Sequence, residues 1–215
     1  MKRCYLVRHA ETVWNGENRI QGGSDLPLSP LGLQQAEQLG IWCASRHVRG
    51  IVTSALQRSR QTAQAIAAGN GHRVQPVIEQ ELAEMHLGAW EGLTPEEVDA
   101  RFENAYQQWR TRPSSVVIPG GEPLEAFRER IRRALGKVLA SFGEGEYVVV
   151  SHGGVIATIL ADLLGSDYDT LIRRLRLDNA GVTALEFGRE VPHILWVNST
   201  IHLDILSQPP AVGWF

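Results

Sequence analysis

Two short apolar runs in this 215-residue chain end in histidine. Cys4-Tyr5-Leu6-Val7 leads into Arg8-His9, and Tyr147-Val148-Val149-Val150 leads into Ser151-His152-Gly153-Gly154. Imidazole is the side chain best suited to act as nucleophile or base near neutral pH. The guanidinium beside His9, and a second one at Arg58 in Thr53-Ser54-Ala55-Leu56-Gln57-Arg58, make an anion the natural ligand. A phosphate monoester carries about −1.5 to −2 charges at neutral pH, and guanidinium forks match its oxygens two at a time. The amides at Gly153-Gly154 would add a helix N-terminus, itself an anion site. Phosphoryl transfer needs mainly positioning and charge stabilisation, so such a pocket can dispense with a metal. His9 would attack phosphorus in line. The departing alkoxide would need a proton, and the carboxyls available around the next loop are Glu79, Glu81, Glu84 and Glu91. The donor's proton affinity would have to be raised by burial or by the phosphate charge. Residue types alone do not choose among the four.

The elements around these residues must bring them together. Cys4–Val7, residues 50–53, 74–77 and 147–150 read as short strands, with helices expected over 30–45, 55–68, 122–142 and 155–164. Ser29-Pro30 and Thr94-Pro95-Glu96-Glu97 are helix starts with a capping side chain and proline in the first turn. Residues 174–178, 182–187 and 193–197 read as further strands, the last ones a hairpin or meander. Strands alternating with helices imply an α/β fold whose ligand sits at the carboxyl ends of parallel strands. Residues 86–125 lack strands and read as a helical lid insertion within one domain over 1–206, with a loose tail at 207–215.

Composition bounds the rest. A net charge of −3 argues against nucleic acid or a membrane surface as a bulk-charge partner. No stretch is apolar for long enough to span a bilayer, and Arg8-His9 interrupts the first apolar run before it could serve as a secretory leader. Two cysteines, Cys4 and Cys43, make no disulfide framework and point to a reducing, cytoplasmic setting. His47, His72 and His193 have no partner pattern. His86 reads as an ordinary loop histidine, Arg128, Arg130, Arg132 and Arg133 as a solvated helix face, and Tyr106, Trp90 and Trp109 as packing groups. No metal-ligand spacing is present, so neither metal nor cofactor is expected.

Several segments, in order, resemble the histidine phosphatase superfamily, which includes the cofactor-dependent phosphoglycerate mutases. Arg8-His9-Ala10-Glu11-Thr12 is similar to its Arg-His-Gly-Glu-Thr signature, with alanine in place of glycine. Trp14-Asn15 and Gln21-Gly22 through Gly32 match the family's next segment. Arg58 lies in its second arginine motif, Leu82-x-Glu84-x-x-x-Gly88-x-Trp90-Glu91-Gly92 in its acid loop, and Ser151-His152-Gly153 at its second histidine. Asn198-Ser199-Thr200-x-His202-Leu203 resembles a C-terminal motif of the phosphatase members, with Ser199 where aspartate is usual.

The resemblance implies a three-layer α/β/α sandwich with a mostly parallel sheet. It makes His9 the phosphorylated nucleophile, Glu84 the proton donor and His152 a catalytic phosphate contact. Arg8 and Arg58 would bind phosphate, assisted by Asn15 and the backbone near Gln21 and Gly153. The implied partner is a small phosphorylated metabolite of the sugar phosphate, phosphoglycerate or phosphoserine type, bound by a monomer or homodimer. Three activities compete: phosphomonoester hydrolysis through a phosphohistidine, phosphoglycerate isomerisation, and phosphoanion binding without catalysis. Dedicated mutases of the family have Arg-His-Tyr-Gly directly after the acid. Met85-His86-Leu87-Gly88 here lacks the arginine and tyrosine that would grip a second charged group, which favours the hydrolase. Arg101, Arg110 and Arg112 in the insertion are either contacts for such a group or solvated.

Overall fold

The computed structural model describes residues 1–188 and 191–206. In chain order the elements are β1 (Lys2–Arg8), α1 (Val13–Gly16), α2 (Pro30–Ala44), β2 (Val48–Thr53), α3 (Gln57–Gly69) and β3 (Pro76–Ile78). The helical insertion comes next, with α4 (Pro95–Arg101) and α5 (Ala105–Thr111), and then α6 (Leu124–Ser141). The chain closes with β4 (Gly145–Ser151), α7 (Gly153–Leu163), α8 (Tyr168–Ile172), β5 (Val182–Phe187) and β6 (His193–Ser199). Single 3-10 turns cover Gln80–Leu82, Gly88–Trp90 and Pro113–Ser115.

The six strands lie in the order β3-β2-β4-β1-β5-β6. Pairing is parallel from β3 to β1, and antiparallel between β1 and β5 and between β5 and β6. Period-2 alternation divides the buried strand residues between two cores. Tyr5, Val7, Val148 and Val150 face α2 and α3, whereas Cys4, Leu6, Tyr147 and Val149 face α6, α7 and the insertion. The sheet is therefore the middle of three layers.

Two helix starts obey their local chemistry. Ser29 Oγ accepts the Gly32 N–H at the start of α2, and Thr94 and Glu97 form a reciprocal capping box on α4. Trp90 and Trp109 meet edge to face, with ring centroids 5.8 Å apart, and form the aromatic core under the insertion.

Three sequence expectations are corrected. The strand expected over 74–77 is Pro76–Ile78. Residues 174–178 form no strand. Their leucines point inward, but the Leu177 carbonyl accepts from the Arg8 side chain and the Asp178 N–H goes to Asn198 Oδ1. The third correction concerns the arginines of α6. Arg130 is largely buried in hydrogen bonds, and Arg128 and Arg132 pair with Asp162 of α7. The tail expected to be loose lies outside the described residues.

Candidate active site

The β1–β4 register sets Arg8 opposite Ser151. Strands ending in register release the next residues side by side, so His9 and His152 emerge as neighbours, with ring centroids 5.2 Å apart. The His9 N–H donates to the Ser151 carbonyl at 2.9 Å and continues the ladder one step past the strand ends. Arg58, in the first turn of α3, and Glu84, after the Gln80–Leu82 turn, close the site from the other loops at the same sheet edge. Arg8, His9, Arg58, Glu84 and His152 are each at most 6% exposed.

Hydrogen bonds fix the tautomer of His9. Its Nδ1 lies 2.8 Å from the Ala10 carbonyl oxygen. A carbonyl only accepts, so Nδ1 carries the proton and Nε2 keeps its lone pair. His152 is held by its other ring nitrogen. Its Nε2 is 2.8 Å from Ser54 Oγ. Ser54 Oγ also receives the Leu56 N–H, and Ser59 Oγ lies 3.4 Å from Nε2. With the Ser54 hydroxyl as the donor to Nε2, the His152 proton sits on Nδ1. That Nδ1 has no protein partner. Burial pushes both histidines well below the usual imidazole range, and the Arg58 and Arg8 charges push the same way. Both rings are neutral at pH 7.

Each arginine is pinned by part of its guanidinium and open at the rest. Arg8 donates from one terminal nitrogen to the Leu177 carbonyl. Arg58 donates to the Gly22 and Ser24 carbonyls at 2.7 and 2.6 Å. The Nε of each is buried and unpartnered. Desolvation lowers the Arg58 pKa to about 10, still far above neutrality. Buried donors are almost always satisfied. Arg8 Nε, Arg58 Nε and His152 Nδ1 are three without a partner among the described residues, and the charges of both arginines are felt at His9 and His152. Guanidinium and imidazole N–H groups are donors of the type that suits an oxyanion.

Glu84 is placed by α7. Its two carboxylate oxygens accept the Met85 and Gly154 amides at 2.9 and 3.0 Å. A Cβ on Gly154 would lie 2.5 Å from Glu84 Oε1, so only glycine admits the carboxylate there. Gly153 opens α7 beside Arg8. Asn15 caps the turn after Thr12; its Oδ1 accepts the Thr12 and Asn179 donors, which turns its NH2 end away from that cluster. Gln21 is buried with Oε1 accepting the Thr12 hydroxyl, and so supports this turn through its side chain. Ala10 has ordinary negative φ and a buried methyl group, so glycine's backbone freedom is not needed at that position.

Ser54 and Thr62 fall in the motif around Arg58, but sequence reasoning did not identify them, or Asn179, as the residues that hold the histidine loops. Asn179 donates to the His9 carbonyl, Thr62 Oγ1 accepts the Ala10 N–H, and Ser54 holds His152. Glu91 accepts the Leu87 and Gly23 amides and the Ser24 hydroxyl, tying the acid loop to the carbonyls that hold Arg58. Only the resemblance distinguished Glu84 from its neighbours; Glu79, Glu81 and Glu91 all serve other partners. The histidines expected to have no role, His47, His72, His86 and His193, are exposed, and so are Arg101, Arg110 and Arg112, which the sequence left open as contacts or solvated groups. Among the described residues no three His, Cys, Asp or Glu side chains converge as a metal-ligand set, and no helix is long and apolar enough to cross a membrane.

A family model described as the histidine phosphatase superfamily (branch 1) matches residues 4–200. A probable phosphoglycerate mutase, GpmB, of Yersinia enterocolitica is 35% identical, with 95% of this chain and 96% of the relative aligned. Among solved structures, mycobacterial glucosyl-3-phosphoglycerate phosphatase in complex with VO3 superposes with a TM-score of 0.82 at 30% identity, over 93% of this chain and all of that one. A phosphoserine phosphatase mutant of Entamoeba histolytica in complex with phosphoserine gives 0.81 at 28% identity, over 94% and 100%.

Proposed function

The chain belongs to the histidine phosphatase superfamily, and from that premise we propose that it hydrolyses the phosphate ester of a small metabolite through a phosphohistidine at His9, without a metal ion. The observation that carries this reading is the pairing of His9 and His152, with ring centroids 5.2 Å apart, with three buried, unpartnered donors, Arg8 Nε, Arg58 Nε and His152 Nδ1, where the two arginine charges act on both rings.

In the first step the Nε2 lone pair attacks phosphorus, the P–N bond forms and the bond to the ester oxygen breaks. The departing oxygen takes a proton from Glu84. The two guanidiniums and His152 hold the equatorial oxygens as charge develops. In the second step water attacks phosphorus from the vacated side and gives its proton to Glu84. The P–N bond breaks, phosphate leaves and His9 returns to its starting tautomer. Because His9 is neutral before substrate arrives, no proton has to be removed from it first.

Hydrolysis is favoured over isomerisation by the acid loop. Met85 and Leu87, which flank His86, are packed into the core under the insertion, so this loop offers no cation to a second charged group. The relatives named probable phosphoglycerate mutase support the competing reading, whereas the superposed glucosyl-3-phosphoglycerate and phosphoserine phosphatases support hydrolysis. Those two phosphatases also make a phosphorylated hydroxy acid or amino acid the first substrates to try. A reducing cytoplasm suits Cys4 and Cys43, both buried and unpaired.

The test is a phosphometabolite panel assayed with chelator present, with 3-phosphoglycerate isomerisation measured alongside. Release of phosphate from at least one ester, faster than any isomerisation, is expected. Isomerisation much faster than release would make the protein a mutase. Tight phosphate binding with no turnover of any ester would make it a binding module.

A further inference from the structure

Arg130 lies on α6, outside the phosphate pocket, yet all five of its N–H donors are used. Nε and one terminal nitrogen form a two-pronged pair with the Glu122 carboxylate, both at 2.8 Å. The other terminal nitrogen donates to the Glu81 and Ala83 carbonyls at 2.6 and 2.8 Å, and the last N–H reaches the Glu84 carbonyl at 3.1 Å. Ser151 Oγ takes the intervening Leu82 carbonyl at 2.7 Å. Four successive carbonyls leading to Glu84 are therefore held, three of them by one guanidinium. Glu122 completes the bracket beyond Glu84, since its own N–H donates to the His86 carbonyl at 2.8 Å. Arg130 and Glu122 side chains are each only 15% exposed. The Arg130 charge is close enough to be felt at His152.

We propose that Arg130, held by Glu122, is the positioning residue that sets Glu84 over the ester oxygen, and so controls proton delivery to the leaving group. This inference rests on the reading of Glu84 as proton donor. Only an arginine meets the requirement. Lysine has three donors on a point charge and cannot fork onto Glu122 while reaching three carbonyls. Displacing a catalytic group by about 1 Å can cost on the order of a hundredfold in rate. The loss should fall on esters that need a proton on departure. An activated aryl phosphate leaves as a stable anion and needs little help.

The experiment compares an alkyl phosphate with 4-nitrophenyl phosphate for the unmodified protein and for Arg130→Lys, Glu122→Gln and Glu84→Gln. Phosphate affinity and near-ultraviolet circular dichroism serve as controls. For Arg130→Lys and Glu122→Gln, kcat on the alkyl ester is expected to fall about tenfold to a hundredfold. Aryl ester kcat should change less than about threefold, with KM and phosphate affinity near their starting values. Equal losses on both esters, or no loss on either, overturn the inference so long as Glu84→Gln itself slows the alkyl ester selectively. If Glu84→Gln slows both esters alike, the proton-donor reading fails, and the role of Arg130 fails with it. If Arg130→Lys does not fold, Glu122→Gln decides. Failure of both to fold would assign the pair to stability and overturn the inference.

Discussion

The site is built from side chains that keep some polar atoms unpaired, and the protein supplies backbone partners for most of the rest. Arg58 spends its terminal nitrogens on Gly22 and Ser24, and His9 spends Nδ1 on Ala10. Gly154 shows how narrow the tolerances are. Gly154→Ala would place a methyl group against Glu84 Oε1, at 2.5 Å from its ideal position. The change also improves helix propensity by about 1 kcal/mol, so stability should move by less than about 2 kcal/mol. Alkyl ester kcat should nevertheless fall at least about tenfold. Urea unfolding and steady-state kinetics on the same preparation check both numbers; unchanged turnover would show that Glu84 need not occupy this place. At this scale the sequence showed Arg8, His9 and His152 by type and by their place at strand ends, whereas Arg58 was singled out only by the motif it lies in. It did not show what Asn179, Thr62 or Arg130 hold. Their partners are main-chain atoms far away in the chain, and a carbonyl has no signature in a sequence.

Elements place these residues by register. β1 and β4 end together, and that alone makes neighbours of His9 and His152. Both strands were legible as short apolar runs before a polar loop. Residues 174–178 misled for the same reason, since Arg174-Leu175-Arg176-Leu177-Asp178 alternates like a strand. Alternation reports which side faces the core, but it does not report whether a neighbouring strand pairs with the segment. The segment instead buttresses Arg8 and is fastened by β6. Asn198 accepts the Asp178 N–H, donates to Asp178 Oδ2 and sits at φ +53°. Asn198→Ala removes two hydrogen bonds at about 1 kcal/mol each and puts alanine in a left-handed backbone at about 1–2 kcal/mol. A stability loss of about 2–4 kcal/mol is expected in urea unfolding, together with weaker phosphate binding as the Leu177 and Gly181 carbonyls that anchor Arg8 loosen. A loss of stability at full phosphate affinity would show that this fastening does not reach the site.

The whole molecule carries the electrostatic consequence of a buried site. His9 and His152 are held well below 6.5, and burial takes His202, beside Trp42, down to about 4. Between these depressed values and 6.5 the unfolded chain binds protons that the folded chain does not. Stability is therefore greatest above about pH 7 and falls with acid, by up to about 1.4 kcal/mol per pH unit for each histidine. Urea midpoints at pH 7.5, 6.5 and 5.5 should fall in that order. Inorganic phosphate should restore part of the loss, because it binds only the folded state and favours a charged His152. Midpoints that do not change between pH 7.5 and 5.5 would show that these rings are not held neutral. The α/β class was legible from the alternation of strands and helices, and the three-layer plan with its mostly parallel sheet from the resemblance of the motifs to the family. The nonlocal hydrogen bonds that set the pocket were not.

The central claim is that His9 takes the phosphoryl group, and quench-flow against a turned-over phosphomonoester tests it most directly. Protein stopped in alkaline denaturant within one turnover should carry one phosphoryl group on Nε2 of His9, mapped by peptide mass spectrometry. The adduct should form no slower than steady-state turnover and be absent from His9→Ala. Full turnover with no phosphorylated histidine at any time, or undiminished activity in His9→Ala, would contradict the account.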